Sequence, residues 1–335
     1  MISPDDTATG RRSGPALPVV ERPGWRIAQR LCVIGLAAIG LGFLAFPEAT
    51  ATLFWWALVP ALPVLFLLHP SIWRNVCPLA TLSMGREPET AAAGASAKPS
   101  PWAGAAGVLP FFLLVAWRGT GLEARPMEAG GLLLGITVFA LFTGRRGTRR
   151  DGFCNRFCPL LPIERVYGQR PLIEVNDTRC PSCTLCTPRG CLDLSATAAI
   201  PQLLGTRRKG SEWLLTPFGA FAAALPGFII AYFVATPAEP DGVLRFAGTL
   251  ALGLMASWTL AAVLVRLTGL RWSVTLPTLG ALSAGLYYGF AAPRAAVAWG
   301  WAPGVGVALQ VVFVLFVLNW WRAALRSVTG SRARA

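Results

Sequence analysis

Eight runs of mostly apolar residues, separated by shorter polar gaps, set the limits on what this chain can fold into: Leu31–Phe46, Ala51–Leu68, Trp102–Trp117, Met127–Thr143, Trp213–Val234, Phe246–Val265, Trp272–Ala291 and Val305–Trp321. A helix crosses a bilayer with about 20 mostly apolar residues. It can do so because it satisfies its own backbone hydrogen bonds without water. The pattern predicts an all-α membrane protein with about eight transmembrane helices. The third and fourth runs are short and contain Pro110 and Glu128. The last four are the clearest, with Trp213, Trp272, Trp320 and Trp321 at their ends, where aromatic rings favour the headgroup level. Charged residues make up only 14% of the 335, against roughly a quarter in soluble domains. The N-terminus, "MISPDDTATGRRSGPALPVVERPGWRIAQR", has no early apolar core, so we expect a disordered tail and no cleaved signal peptide.

The net charge is +14. Its basic residues fall between apolar runs and form no patch on a soluble face, which argues against a nucleic-acid partner. With eight spans, both termini and the even-numbered gaps share one side. The other side holds only Arg118, Arg125, Arg245 and Arg294 of the 30 Lys and Arg residues. Positive residues favour the cytoplasmic side. We therefore expect a multi-pass protein of a bacterial inner (cytoplasmic) membrane, with both termini and the long gap from Gly144 to Glu212 in the cytoplasm. The expected segments are a tail over 1–25, helices 1–4 with the Cys77 loop over 26–143, a cysteine segment over 144–212, helices 5–8 over 213–325 and a basic tail over 326–335.

Seven of the eight cysteines lie in two of these cytoplasmic gaps: Cys77 in one, and Cys154, Cys158, Cys180, Cys183, Cys186 and Cys191 in the other. The eighth, Cys32, lies near the cytoplasmic end of the first span. A reducing compartment argues against structural disulfides, and clustered thiols there point to metal or redox chemistry. Cys180, Cys183 and Cys186 read C-x2-C-x2-C, a spacing that wraps three thiolates around one side of an iron–sulfur cubane. Bacterial ferredoxins continue with x3-C-P. Here Cys191 follows after four residues and Leu192 replaces the proline. A tetrahedral zinc is the competing reading, although zinc sites usually use two separated C-x2-C knuckles. Proline follows Cys77 and Cys158 instead; it fixes the turn and carries no competing N–H.

Two stretches echo each other: "SIWRNVCPLATL" (Ser71–Leu82) and "DGFCNRFCPLLPI" (Asp151–Ile163). Aligned on C-P-L, Trp73 stands opposite Cys154, and each stretch follows a pair of apolar runs. The arrangement reads as an internal duplication. With "RCPSCTLCTPRGCLD", the second stretch resembles the membrane-bound ferredoxin-type proteins of the NapH and NosR kind. Cys154 and Cys158 match that family's C-x3-C-P motif, and Cys180, Cys183 and Cys186 match its ferredoxin-like run. Cys77-Pro78 looks like a second C-P motif whose first Cys is Trp73, and Cys191 matches the fourth ferredoxin position only loosely. The resemblance covers roughly Leu31 to Leu194 and leaves the last four spans outside it. It implies a small ferredoxin-like iron–sulfur insert. It also implies electron transfer at the membrane, often between the quinone pool and a partner redox protein.

Two [4Fe–4S] clusters need eight ligands, and the cytoplasmic gaps offer seven Cys. The missing ligand is expected from Cys32 or from His69, the only histidine. The plainer readings are a small buried thiol for Cys32 and an interfacial anchor or quinone contact for His69. A single cluster on Cys180, Cys183, Cys186 and one of Cys191 or Cys158 is the fallback. One histidine excludes a bis-histidine haem within the chain. Arg156, Arg165, Arg170, Arg179 and Arg189 could dock an acidic redox partner, or could simply follow the positive-inside rule and bind lipid headgroups. No nucleophile–base pair and no phosphate-binding glycine fingerprint is evident. The expected function is membrane-bound iron–sulfur electron transfer, as a subunit and not as a stand-alone enzyme. An accessory or maturation factor for a membrane redox enzyme, and a zinc-binding membrane scaffold, are the alternatives.

Overall fold

A computed structural model describes residues 23–83, 105–146, 153–154, 157–173, 200, 203–204, 210–235 and 242–332. Cys180, Cys183, Cys186, Cys191, Arg156, Arg179 and Arg189 lie outside the described residues. Among the described residues every regular element is helical: α1 (Pro23–Ala45), α2 (Pro47–Leu68), α3 (Pro70–Val76), α4 (Pro78–Ser83), α5 (Ala105–Gly119), α6 (Pro126–Arg146), α7 (Leu161–Tyr167), α8 (Pro217–Val234), α9 (Gly242–Thr268), α10 (Trp272–Ala298) and α11 (Pro303–Arg332). Seven of these start on proline. At a first helical position its missing N–H would have had no acceptor anyway, and its φ already suits the helix. Proline therefore punctuates this chain more than it breaks it.

Each of the eight apolar runs forms a helix over its described residues. Six of them (α1, α2, α6, α8, α9 and α11) are long and apolar enough to cross a membrane. The other two differ for physical reasons. In α5 the described apolar stretch is short, Gly107–Gly119. The 27 residues of α10 are long enough, but they include Thr275, Ser283 and Tyr288, all buried. This helix packs against α2, α7, α8 and α11, so its surroundings are mostly protein, and a helix among protein neighbours needs less apolar surface than one facing lipid. The outer helices show the opposite pattern. Leu31, Ile34 and Leu41 of α1, Leu252 and Met255 of α9, and Leu315 of α11 are each at least 60% exposed. Apolar area this extensive on the outside of a folded chain suits a lipid environment. The fold is that of an all-helical, multi-pass membrane protein.

The internal echo is visible in the packing. If α1, α2 and α4 are matched with α5, α6 and α7, the contacts exchange. The short helix α4 rests on α1 and α6, and α7 rests on α5 and α2. Each short helix therefore touches the first span of its own repeat and the second span of the other. The approach of α4 to α6 is close: a Cβ on Gly144 would stand 2.4 Å from Ser83 Cβ.

The second half is built on similarly close packing. In α8 and α9, Gly227 and Gly253 meet backbone to backbone. A Cβ on Gly227 would lie 2.1 Å from the Gly253 carbonyl oxygen. Ser257 Oγ donates to the Ala223 carbonyl at 2.7 Å alongside. Tyr288 of α10 donates its hydroxyl to the Pro60 carbonyl of α2 at 2.6 Å, joining the two halves. Gly227→Ala should therefore lower the thermal midpoint of the detergent-solubilised protein, by a stability loss of about 1–3 kcal/mol. Gly248→Ala, which meets nothing within 4 Å, should leave the midpoint unchanged or slightly higher.

Candidate functional site

The cysteine end of the molecule begins where α2 stops. Proline at position 70 disfavours helical backbone at the residue before it, and His69 is extended, with φ −168° and ψ 126°. Its Nδ1 accepts the Ser71 N–H at 3.0 Å and so caps α3. After two turns Cys77 ends that helix. Its N–H donates to the Trp73 carbonyl at 2.7 Å, and its own carbonyl accepts from Thr81 N at 2.9 Å to open α4. The second repeat builds a comparable kink, with a wider turn before the cysteine and a tighter one after it. The Phe153 carbonyl accepts from Phe157 N at 2.9 Å and from Cys158 N at 3.1 Å, and the Cys158 carbonyl accepts from Leu161 N at 3.1 Å. Each Cys-Pro unit thus hands its N–H to the turn before and its carbonyl to the turn after.

The sulfurs are treated alike as well. Backbone N–H groups of Leu79 and Ala80 donate toward Cys77 Sγ, and that of Leu160 donates toward Cys158 Sγ. Leu79 and Leu160 occupy the same place in the echo, two residues after the cysteine. The first N–H groups of a helix have no partner within it. Here the kink turns them onto sulfur, where they favour negative charge.

Cys77, Cys154 and Cys158, drawn from both repeats, lie at the same end of the molecule, near enough to influence one another's charge. Burial first, and then the charge of neighbouring Cys154, push the Cys77 thiol up to about 12. Burial likewise pushes the Cys158 thiol well up, with Cys154 and then Cys77 adding to it. The three thiols thus feel one another's charge, and uncompensated thiolates would repel in a site shielded from water. As placed, they do not by themselves make a metal site: among the described residues, no group of three or more His, Cys, Asp or Glu side chains could hold a metal ion.

One ion pair ties the two kinks. Arg74 on α3 donates Nε to Glu164 Oε1 on α7, and each residue is 4% exposed. Two backbone bonds reinforce the link, from Leu172 N to the Leu67 carbonyl and from Ile173 N to the Leu68 carbonyl, both at 3.2 Å. These carbonyls belong to the last turn of α2, which has no acceptor-satisfying residues of its own beyond it. Gln169 extends the scaffold to the second half: its Nε2 donates to the Val166 carbonyl at 2.6 Å and to the Leu276 carbonyl of α10 at 3.1 Å.

The other expected site residues fall elsewhere. Cys32 is half-buried within α1, outside both Cys-Pro kinks. The imidazole of His69 is engaged as a helix cap. Arg165, expected to face a partner, is instead 3% exposed inside the helical junction, because α7 is buried along its whole length. Arg170 is half-buried. Sequence reasoning missed Arg74 and Glu164. The available signal was a carboxylate flanked by Pro162, Ile163, Val166 and Tyr167 on a short apolar helix, a place that requires a buried cation.

A scan against protein-family models and searches of curated proteins and of solved structures return no match. The likeness to ferredoxin-type membrane proteins therefore rests on the motifs themselves.

Breaking a buried pair from one side leaves the other charge uncompensated, at a cost of about 3–5 kcal/mol. Glu164→Gln should accordingly unfold or strongly destabilise the detergent-solubilised protein. The double variant Arg74→Met with Glu164→Leu should recover most of the lost midpoint in the same thermal scan.

Proposed function

We propose that the chain is a membrane-bound iron–sulfur protein that carries electrons between the quinone pool or a soluble donor and a partner redox protein. The observation that supports this best is the placement of Cys77, Cys154 and Cys158, from both repeats, at one end of the molecule within reach of one another's charge, with matching N–H groups aimed at two of the sulfurs. A donor set of thiols, one buried and two half-buried, suits iron–sulfur chemistry, and backbone N–H···S bonds are a means by which a protein tunes such a centre. In this reading Cys77, Cys154 and Cys158 supply one ligand set, Cys180, Cys183 and Cys186 supply another, and Cys191 completes one of them. A bound [4Fe–4S] cluster supplies one-electron storage at a potential that its surroundings set.

The chain's own residues then have definite tasks. Arg74 and Glu164 hold the two Cys-Pro kinks together. Leu79, Ala80 and Leu160 offset negative charge on sulfur through their N–H groups. Phe153, 3% exposed, and Trp73 restrict water at this end. The concentration of Lys and Arg in the gaps on this side supports its placement at the cytoplasmic face.

Anaerobically purified protein should contain roughly four to eight iron atoms and as many acid-labile sulfides per chain. Reduction should give an EPR signal with a reversible midpoint, and Cys158→Ser should remove or alter that signal. Zinc without iron, or EPR silence after anaerobic reconstitution, would overturn the proposal.

A further inference from the structure

A cavity of about 430 Å³ lies at the opposite end from the cysteines. The helix between them, α2, has 22 residues and is therefore about 33 Å long at the rise of an α-helix. Both halves of the molecule build this cavity. Glu48 and Trp56 come from α2, Arg118 from the end of α5, Glu123 from the turn that follows, Tyr232 from the end of α8 and Arg294 from α10. Its volume falls in the range of ordinary ligand pockets.

Arg118 is held in a fixed pose. Residues Phe54–Leu58 of α2 form a π-helical turn just ahead of Pro60. In a regular helix adjacent side chains diverge by about 100°, yet here two neighbours, Trp55 and Trp56, both reach the same guanidinium. Their ring centroids lie 4.9 and 5.1 Å from it. Its side chain is 9% exposed and pairs with Glu123 at 3.1 Å. This guanidinium and this carboxylate therefore neutralise each other.

The pairing leaves one charge of each sign in the lining. Arg294 donates to the Phe233 carbonyl at 2.7 Å and lies over the Phe233 ring, with no acidic partner among the described residues. Glu48 is exposed, and its carboxylate accepts no hydrogen bond from the described residues. The two line one cavity together with Trp56 and Tyr232. Such a lining complements a ligand with an anionic and a cationic end: a phosphate or carboxylate for the guanidinium, and an ammonium for the carboxylate and the aromatic faces.

The depth of the cavity narrows the class. It sits where α2 begins and where α5 and α8 end. Close by in the chain, Trp299 and Trp301 follow α10 as a partly exposed stacked pair, 6.0 Å between centroids. Helix ends with tryptophans mark the headgroup level. We propose that this cavity binds a zwitterionic phosphoamine group, of the kind carried by phosphatidylethanolamine or by a free phosphoethanolamine. The site is separate from the iron–sulfur reading and stands or falls independently of it.

The test uses the full chain in detergent, with bound ligand counted by native mass spectrometry. The probes are dioleoyl phosphatidylethanolamine, dioleoyl phosphatidylglycerol and O-phosphoethanolamine. The wild type should prefer the ethanolamine lipid over the glycerol lipid by about fivefold or more, the scale of one partly exposed ion pair. Glu48→Gln, at an exposed position, should abolish that preference while still binding both lipids. Arg294→Gln should weaken both lipids alike. If O-phosphoethanolamine binds as well as the lipid, the ligand is soluble; if only the lipid binds, the acyl chains contribute and the ligand is membrane-borne. Equal binding of the two lipids by the wild type, or a preference that survives Glu48→Gln, would overturn the proposal. Thermal midpoints of both variants without added lipid, within a few degrees of wild type, would confirm that the comparison is between folded proteins.

Discussion

The cysteine end depends on one buried ion pair. Arg74 and Glu164 come from different repeats, 90 residues apart, and neither could be buried alone without a large desolvation cost. Placed together, they make each kink a condition for the other. The Cys77 kink has a stable surrounding only when the Cys158 kink is docked against it. The main-chain bonds from Leu172 and Ile173 to the end of α2 follow from the same docking, as does the reach of Gln169 to α10. In this way a pairwise electrostatic requirement is spread across four helices.

The duplication explains why the pair sits where it does. Two copies of a helical hairpin followed by a Cys-Pro turn can pack so that each short helix caps the other copy's second span. That exchange places both turns on the same end. The copies have diverged at the centre. Trp73 stands where the second copy has Cys154, and the order Arg74-Asn75 is reversed as Asn155-Arg156. The result is an asymmetric set of three thiols with one ion pair, in place of a symmetric set of four thiols.

Much of this was legible in the sequence, and the reasons are specific. Long apolar runs and prolines at their starts announce helices directly, since both act through local backbone chemistry. The Cys-Pro echo was legible because it is a contiguous motif. The uneven distribution of basic residues also carried information: Arg118 and Arg294, expected on one side, do line one cavity. The status of α10 was not legible, because its polar residues are tolerated only through neighbours far away in the chain. Nor was the burial of Arg165, since whether a basic residue on a short helix faces water depends on what that helix packs against. The partnership of Arg74 and Glu164 is a tertiary fact of the same kind. Cys32 and His69 were candidates by their expected nearness to the cytoplasmic face; one lies within α1 and the other caps α3.

The central claim is that Cys77 and Cys158, from different repeats, serve one metal centre. Iron content of single and double variants tests this most directly, with the protein purified anaerobically. The account predicts that Cys77→Ala and Cys158→Ala each lower iron by about four atoms per chain, and that the double variant loses no more than either alone. Full iron retention in Cys77→Ala, or additive losses in the double variant, would contradict it.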